Sequence, residues 1–211
     1  MKKKNLLGVI LLLVLAVGAT PGARAQSDTS ALRPPNGAKL ALVVFEDMEC
    51  PDCARAAPLI AEAAKTYKIP VVRYDFPLPQ HLWAFEAAVL AHYFGSKSEK
   101  LGVEFREYIF QHQVEITGSN PMDGEGEKQR LRALAEKFAQ EHKKGLPFVV
   151  DPDGKLAADV RASKDVGLRV GILHTPTLYV VSRSQQGRPF VEVVDRSQLF
   201  QLIDQMKSIA E

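Results

Sequence analysis

Lys39–Cys53 reads KLALVVFEDMECPDC and runs directly into Ala54–Lys68, ARAAPLIAEAAKTYK. This stretch decides the fold. Residues 39–46 are a short apolar run rich in β-formers, which predicts a strand. Residues 51–68 place alanines, Leu59 and Ile60 at helical spacing, and Pro51 suits the first turn of a helix, where its missing N–H would be unpaired in any case. The two cysteines, Cys50 and Cys53, therefore sit where a strand ends and a helix begins.

Downstream, residues 69–75 (IPVVRYD) predict a second strand. Helical periodicity follows over 81–94 and 101–113, separated by Gly95-Ser96-Lys97-Ser98. Gly118 to Gly126, with Asn120-Pro121, reads as a loop. A helix over about 126–143 carries Leu131, Leu134, Ala135 and Phe138 as its apolar stripe. Asp151-Pro152-Asp153-Gly154 is a turn before a helix at 155–169. Two strand-like runs, 177–182 and 189–194, are joined by a hairpin loop at Ser184 to Gly187. An amphipathic helix with Leu199, Leu202, Ile203 and Met206 on one face covers 196–209. The order predicts an α/β fold, a small central sheet with helices on both sides.

Upstream, residues 26–38 are polar, contain Pro34, Pro35 and Gly37, and read as a leader or linker. Residues 1–25 have the pattern of a signal peptide: Lys2, Lys3 and Lys4, an apolar run from Leu6 to Val17, and Ala23-Arg24-Ala25 as a cleavage site. The apolar run is shorter than the about 20 residues of a spanning helix, which favours cleavage over a membrane anchor. The formal charge of +2 belongs to this segment, since its four basic residues leave the remainder at −2. Nothing in that balance points to nucleic acid. The expected location is periplasmic or otherwise extracytoplasmic.

The sequence has two cysteines. A bridge this short closes a very small loop and adds little as a brace. At a helix N-terminus, unpaired N–H groups and the positive end of the dipole stabilise a thiolate. Cys50, at the cap, gains most, and Cys53, one turn in, is the more buried. Three other chemistries fit a lone C-x-x-C: half of a zinc site, a Cu(I) carrier, or a structural disulfide. Zinc would need histidine ligands, and His81, His92, His112, His142 and His174 form no H-x₃₋₅-H pair.

VVFEDMECPDC, with Pro58 in the following helix, resembles the active-site strand and helix of the thioredoxin superfamily. More closely it resembles the DsbA-like branch, whose members carry F-x-D-x-x-C-P-x-C. FPLPQHLWAFEAAVLA (76–91) is similar to the start of that branch's inserted helical domain, and His174-Thr175-Pro176-Thr177 resembles its threonine–cis-proline loop. The resemblance spans roughly residues 38–209. It implies a thioredoxin-like domain over 39–211 with a helical insertion at about 80–170, and a thiol–disulfide oxidoreductase with Cys50 and Cys53 as catalytic residues. It places Pro51, Asp52, His174, Thr175 and Pro176 beside them. It also implies a cis peptide before Pro176, packed on the cysteine pair, that leaves the Thr175 backbone free for an extended substrate.

No organic cofactor and no metal is implied, because the disulfide carries the two electrons. Expected partners are cysteine-containing exported proteins and a membrane redox partner, with the chain itself a monomer. A reductase or isomerase of the same fold, or a copper-delivery protein using the same cysteines, are the competing readings. Two departures stand out. Val44 occupies the position where relatives carry a buried acid, leaving Glu46, Asp47 or water to serve Cys53. The second is His174, which stands where relatives often carry glycine; it is either a surface residue or, when protonated, a stabiliser of the Cys50 thiolate. Separately, Asp52 sets a carboxylate between the thiols and Glu49 adds another negative charge, which predicts a less depressed Cys50 and a weaker oxidant.

Overall fold

The computed structural model describes residues 27–119, 123–184 and 188–210. The expected signal peptide at 1–25, Asn120-Pro121, and residues 185–187 of the expected hairpin loop lie outside the described residues.

β1 (Leu40–Glu46) is buried along its whole length. A strand covered on both faces needs a continuous apolar run rather than an alternating one, and LALVVFE supplies it. β1 pairs in parallel with β2 (Val71–Asp75) and antiparallel with β3 (Thr177–Ser182), and β3 pairs antiparallel with β4 (Phe190–Glu192), giving the order β2-β1-β3-β4. Between β1 and β2 runs α1 (Pro51–Tyr67), with Pro51 in its first turn. Lys68, in the left-handed region, ends α1 by turning its N–H onto the Ala64 carbonyl. Five helices separate β2 from β3: α2 (Ala84–Lys97), α3 (Glu99–Gln111), α4 (Gln113–Thr117), α5 (Gly124–Glu141) and α6 (Lys155–Val170). The chain ends in a 3₁₀ turn (Arg196–Gln198) that leads into α7 (Leu199–Ala210).

Alternation along β1 divides the core. Leu40, Leu42 and Val44 face Ala56, Ile60 and Ala63 of α1 and Leu199, Ile203 and Met206 of α7. Ala41, Val43 and Phe45 face Phe76, Val170 and Ile172. A third apolar cluster fills the helical block around Phe94, Phe105 and Phe138, whose ring centroids lie 4.6–5.2 Å apart. Met48, Cys50 and Cys53 belong to that third cluster, so the cysteines lie where the sheet meets the helices.

The structure departs from the sequence expectations at four places. Residues 95–97 are helical, and only Ser98 separates α2 from α3, its hydroxyl capping α3 through the Leu101 N–H. Gly95 and Gly102 serve close packing instead of a loop: a Cβ on Gly102 would lie 2.8 Å from the Gly95 Cα. The five-residue α4 is too short to show a period. The run at 189–194 forms only a three-residue strand, and the first turn of the expected 196–209 helix is 3₁₀.

Candidate active site

Cys50 is the N-cap residue of α1, with extended backbone and no side-chain cap. The turn before it is held from several directions. The Cys50 N–H donates to the Asp47 carbonyl at 3.1 Å. The buried Asp47 carboxylate accepts from the Glu49 N–H (2.7 Å) and the Leu78 N–H (2.7 Å), and pairs with His81 Nδ1 (2.6 Å). Glu49 accepts from the Trp83 and Ala84 N–H groups at 2.7 and 3.0 Å. Gln113 Nε2, from α4, donates to the Met48 and Cys50 carbonyls at 2.7 and 3.1 Å. Segments from the loop after β2 to α4 thus clamp Cys50 and the three residues ahead of it.

The two sulfurs have opposite surroundings. Cys50 Sγ lies 3.4 Å from the Thr175 carbonyl and keeps 7% exposure. Cys53, at 2%, accepts from the Asp47 N–H at 3.4 Å. The Cys53 thiol donates to a Cys50 thiolate, and the Cys53 and Asp52 backbone N–H groups and the Thr175 hydroxyl add to it, so Cys50 is lowered to about 5 against the opposing effect of burial. Burial, followed by the hydrogen bond and charge of Cys50, pushes Cys53 far up. A chemically usable thiolate at neutral pH therefore belongs to Cys50 alone of the two.

The Thr175–Pro176 peptide is cis, as the resemblance implies. Thr175 is buried, and its hydroxyl, which has no other partner among the described residues, bears on the Cys50 sulfur. His174 is exposed; its Nδ1 faces the Thr177 hydroxyl at 3.3 Å. With Pro176, Asp52, Asp195 and Arg196 it lines a groove between the N-terminus of α1 and the segment after β4. Pro51 occupies the first turn of α1, exposed beside Cys50.

The expectation for Asp52 rests on a bare carboxylate beside the thiols, and the structure surrounds that carboxylate with cations. The Asp52 carboxylate does not stand free between the thiols. Arg196 grips both of its oxygens, at 2.7 and 2.9 Å, and Arg55 adds contacts of 3.0 and 3.3 Å. The negative charge that would oppose a thiolate is matched by two guanidiniums.

The two side chains expected to stand in for the acid absent at Val44, Glu46 and Asp47, are both buried. Val44 is sealed among apolar side chains on the α1 face of β1. Glu46, two residues on and so on the same face, is buried, and its charge bears on Cys53. It pairs with Arg73 at 2.6 Å and with Arg106 at 3.4 Å. Arg106 also makes a two-pronged pair with Asp75, at 2.6 and 3.0 Å, and Asp75 accepts from His92 at 2.7 Å. Sequence reasoning missed Arg196, Gln113, Arg73 and Arg106, which reach their partners at the site from 27 to 144 positions away with no motif to mark them. No cluster of three or more His, Cys, Asp or Glu side chains fit to hold a metal occurs among the described residues.

Residues 34–202 match the sequence profile of the family described as Thioredoxin. No curated protein matches significantly by sequence. Among solved structures, a cysteine-to-alanine variant of alpha-DsbA1 from Wolbachia pipientis superposes with a TM-score of 0.64 at 18% identity, covering 85% of this chain and 94% of that one. DsbA2 of Pseudomonas aeruginosa gives 0.58 at 21% identity, over 85% and 95% of the two chains. A periplasmic thioredoxin-like protein from Salmonella enterica serovar Typhimurium gives 0.58 at 18%, over 83% and 88%. The chain belongs to the thioredoxin family, with the DsbA-like fold and the paired cysteines of that family's thiol–disulfide oxidoreductases.

Proposed function

We propose that this protein is an exported oxidoreductase that exchanges disulfides with cysteines of secreted or envelope proteins through its Cys50-Pro51-Asp52-Cys53 site. The observation that carries the reading is the placement of the pair: Cys50 caps α1 with its sulfur 3.4 Å from the carbonyl that precedes the cis Pro176, and Cys53 is buried one turn in, an arrangement that favours a thiolate at Cys50 and opposes one at Cys53.

In the oxidising direction, a substrate thiolate attacks Cys50 Sγ. The Cys50–Cys53 bond breaks, a mixed disulfide forms, and Cys53 departs, taking up a proton because its buried thiolate is costly. A second substrate thiolate then attacks the substrate sulfur of the mixed disulfide. Cys50 leaves as a thiolate, and the substrate carries the new disulfide. A low-pKa thiol is a good leaving group, which favours this release. In the reverse direction the Cys50 thiolate attacks a substrate disulfide and Cys53 resolves the product. Re-oxidation or re-reduction falls to a membrane redox partner. Thr175 and Pro176 offer the backbone against which an extended substrate lies, and α2–α6 fall within the helical insertion expected at about 80–170.

A Cys50 near 5 lies between the values of about 3.5 for a strong oxidant and about 7 for a reductant of this fold. The test is trapping: Cys50→Ser abolishes exchange with a model disulfide protein, whereas Cys53→Ser accumulates mixed disulfides through Cys50. Turnover retained in Cys50→Ser overturns the assignment.

A further inference from the structure

We propose that Arg196 is a positioning residue of the exchange reaction: by clamping the Asp52 carboxylate it removes from beside the Cys50 thiolate a negative charge that the sequence of the site would otherwise place there. The proposal rests on the reading of Cys50 as the nucleophile.

Asp52 lies in the first turn of α1, directly between the cysteines. Arg55, one turn on, is 68% exposed and contacts a single oxygen, so by itself it is a loosely held partner. Arg196 grips both oxygens. Planar, two-pronged guanidinium–carboxylate pairing fixes geometry as well as charge. The fold sets where Arg196 stands. Asp195 caps its 3₁₀ turn by accepting from the Ser197 N–H and hydroxyl at 2.9 and 2.7 Å. Leu199, just after the turn, is fully buried in the cluster that includes Ala56 and Ile60 of α1.

Of the other charges around the site, all but Glu192, which lines the same groove from β4, are already engaged. Asp47 pairs with His81, Glu49 accepts from backbone N–H groups, and Glu46 pairs with Arg73 and Arg106. His174 faces Thr177, and Asp195 is taken by Ser197. Arg196 senses Cys53 and Cys50 as well as Asp52.

The test titrates the ultraviolet absorbance of the Cys50 thiolate in the reduced full chain and equilibrates the same proteins with glutathione. Arg196→Gln is expected to move the Cys50 midpoint up by about one pH unit, about tenfold less thiolate at low pH. The glutathione equilibrium shifts by about tenfold toward the disulfide, about 30 mV more negative. Asp52→Asn moves both quantities the opposite way. The double variant returns close to the unsubstituted protein, and Arg196→Lys, which keeps the charge, retains most of its behaviour. An unchanged midpoint in Arg196→Gln, even with a lower melting temperature, would overturn the proposal. So would Asp52→Asn and Arg196→Gln shifting the same way. If Cys50→Ser left the absorbance titration unaltered, the nucleophile assignment itself would fall, and the proposal with it.

Discussion

Two clusters of acids and arginines flank the cysteine pair, built from the same chemistry in different surroundings. On the rim, Asp52, Arg55 and Arg196 meet at the mouth of the groove, with Asp52 38% and Arg196 34% exposed. Beneath the pair, Glu46, Arg73, Asp75, Arg106 and His92 tie the ends of β1 and β2 to α2 and α3, with Glu46, Asp75 and Arg106 buried. Water screens the rim, so an ion pair there adds little to stability, yet it stands beside a reacting sulfur. In the sealed cluster every charge depends on its partners, because an unmatched ion has no water to fall back on. The rim therefore tunes reactivity at small cost to the fold, and the buried cluster holds the helical block onto the sheet.

The hardest test of that division is to break the buried cluster. Arg106→Met leaves Asp75 and Glu46 without their shared cation. It should cost about 3–5 kcal/mol in urea unfolding. The pH dependence has a definite sign. Burial acts to raise Asp75, but Arg106 and His92 hold it down at about 2, below its ordinary 3.8. A folded value below the unfolded one means stability that is present above about pH 4 and lost as pH falls toward 2, amounting to about 2 kcal/mol. In Asp75→Asn this acid-side loss should vanish.

A smaller effect sharpens the comparison geometrically. His92 and Arg106 ride on α2 and α3, which approach closely at Gly95 and Gly102. Gly102→Ala must push those helices apart, since the new Cβ would meet the Gly95 Cα at 2.8 Å. A loss of about 1–3 kcal/mol is expected in thermal unfolding, with the Cys50 midpoint little moved. Smallest of all is the stability change in Arg196→Gln, under about 1 kcal/mol. If it instead matched Arg106→Met, the rim would be a structural brace and the contrast between the clusters would fail.

Local pattern made the core of the fold legible. LALVVFE reads as a strand covered on both sides, and C-P-D-C at its end places the cysteines on a helix N-terminus. Thr175-Pro176 ahead of TLYVVS locates the facing loop. What stayed hidden is long-range. Asp52 carries the same formal charge in the sequence whether or not a guanidinium lies on it, and Arg196 stands 144 positions away with no periodic signal. The absent acid at Val44 is likewise a matter of faces: Glu46 shares that face through strand alternation, but its pairing with Arg106 depends on how α3 docks. Gly95 read as a break because a glycine's role in close helix packing shows only when the partner helix is in place.

The account centres on the asymmetry of the two thiols, and alkylation of the reduced protein across pH 4–9, with the modified residue located by mass spectrometry, tests it most directly. The account predicts that Cys50 alone is labelled in the folded chain, with a midpoint near 5, and that Cys53 reacts only after unfolding. Equal labelling of both cysteines, or a Cys50 midpoint near the ordinary thiol value of about 8.5, would contradict it.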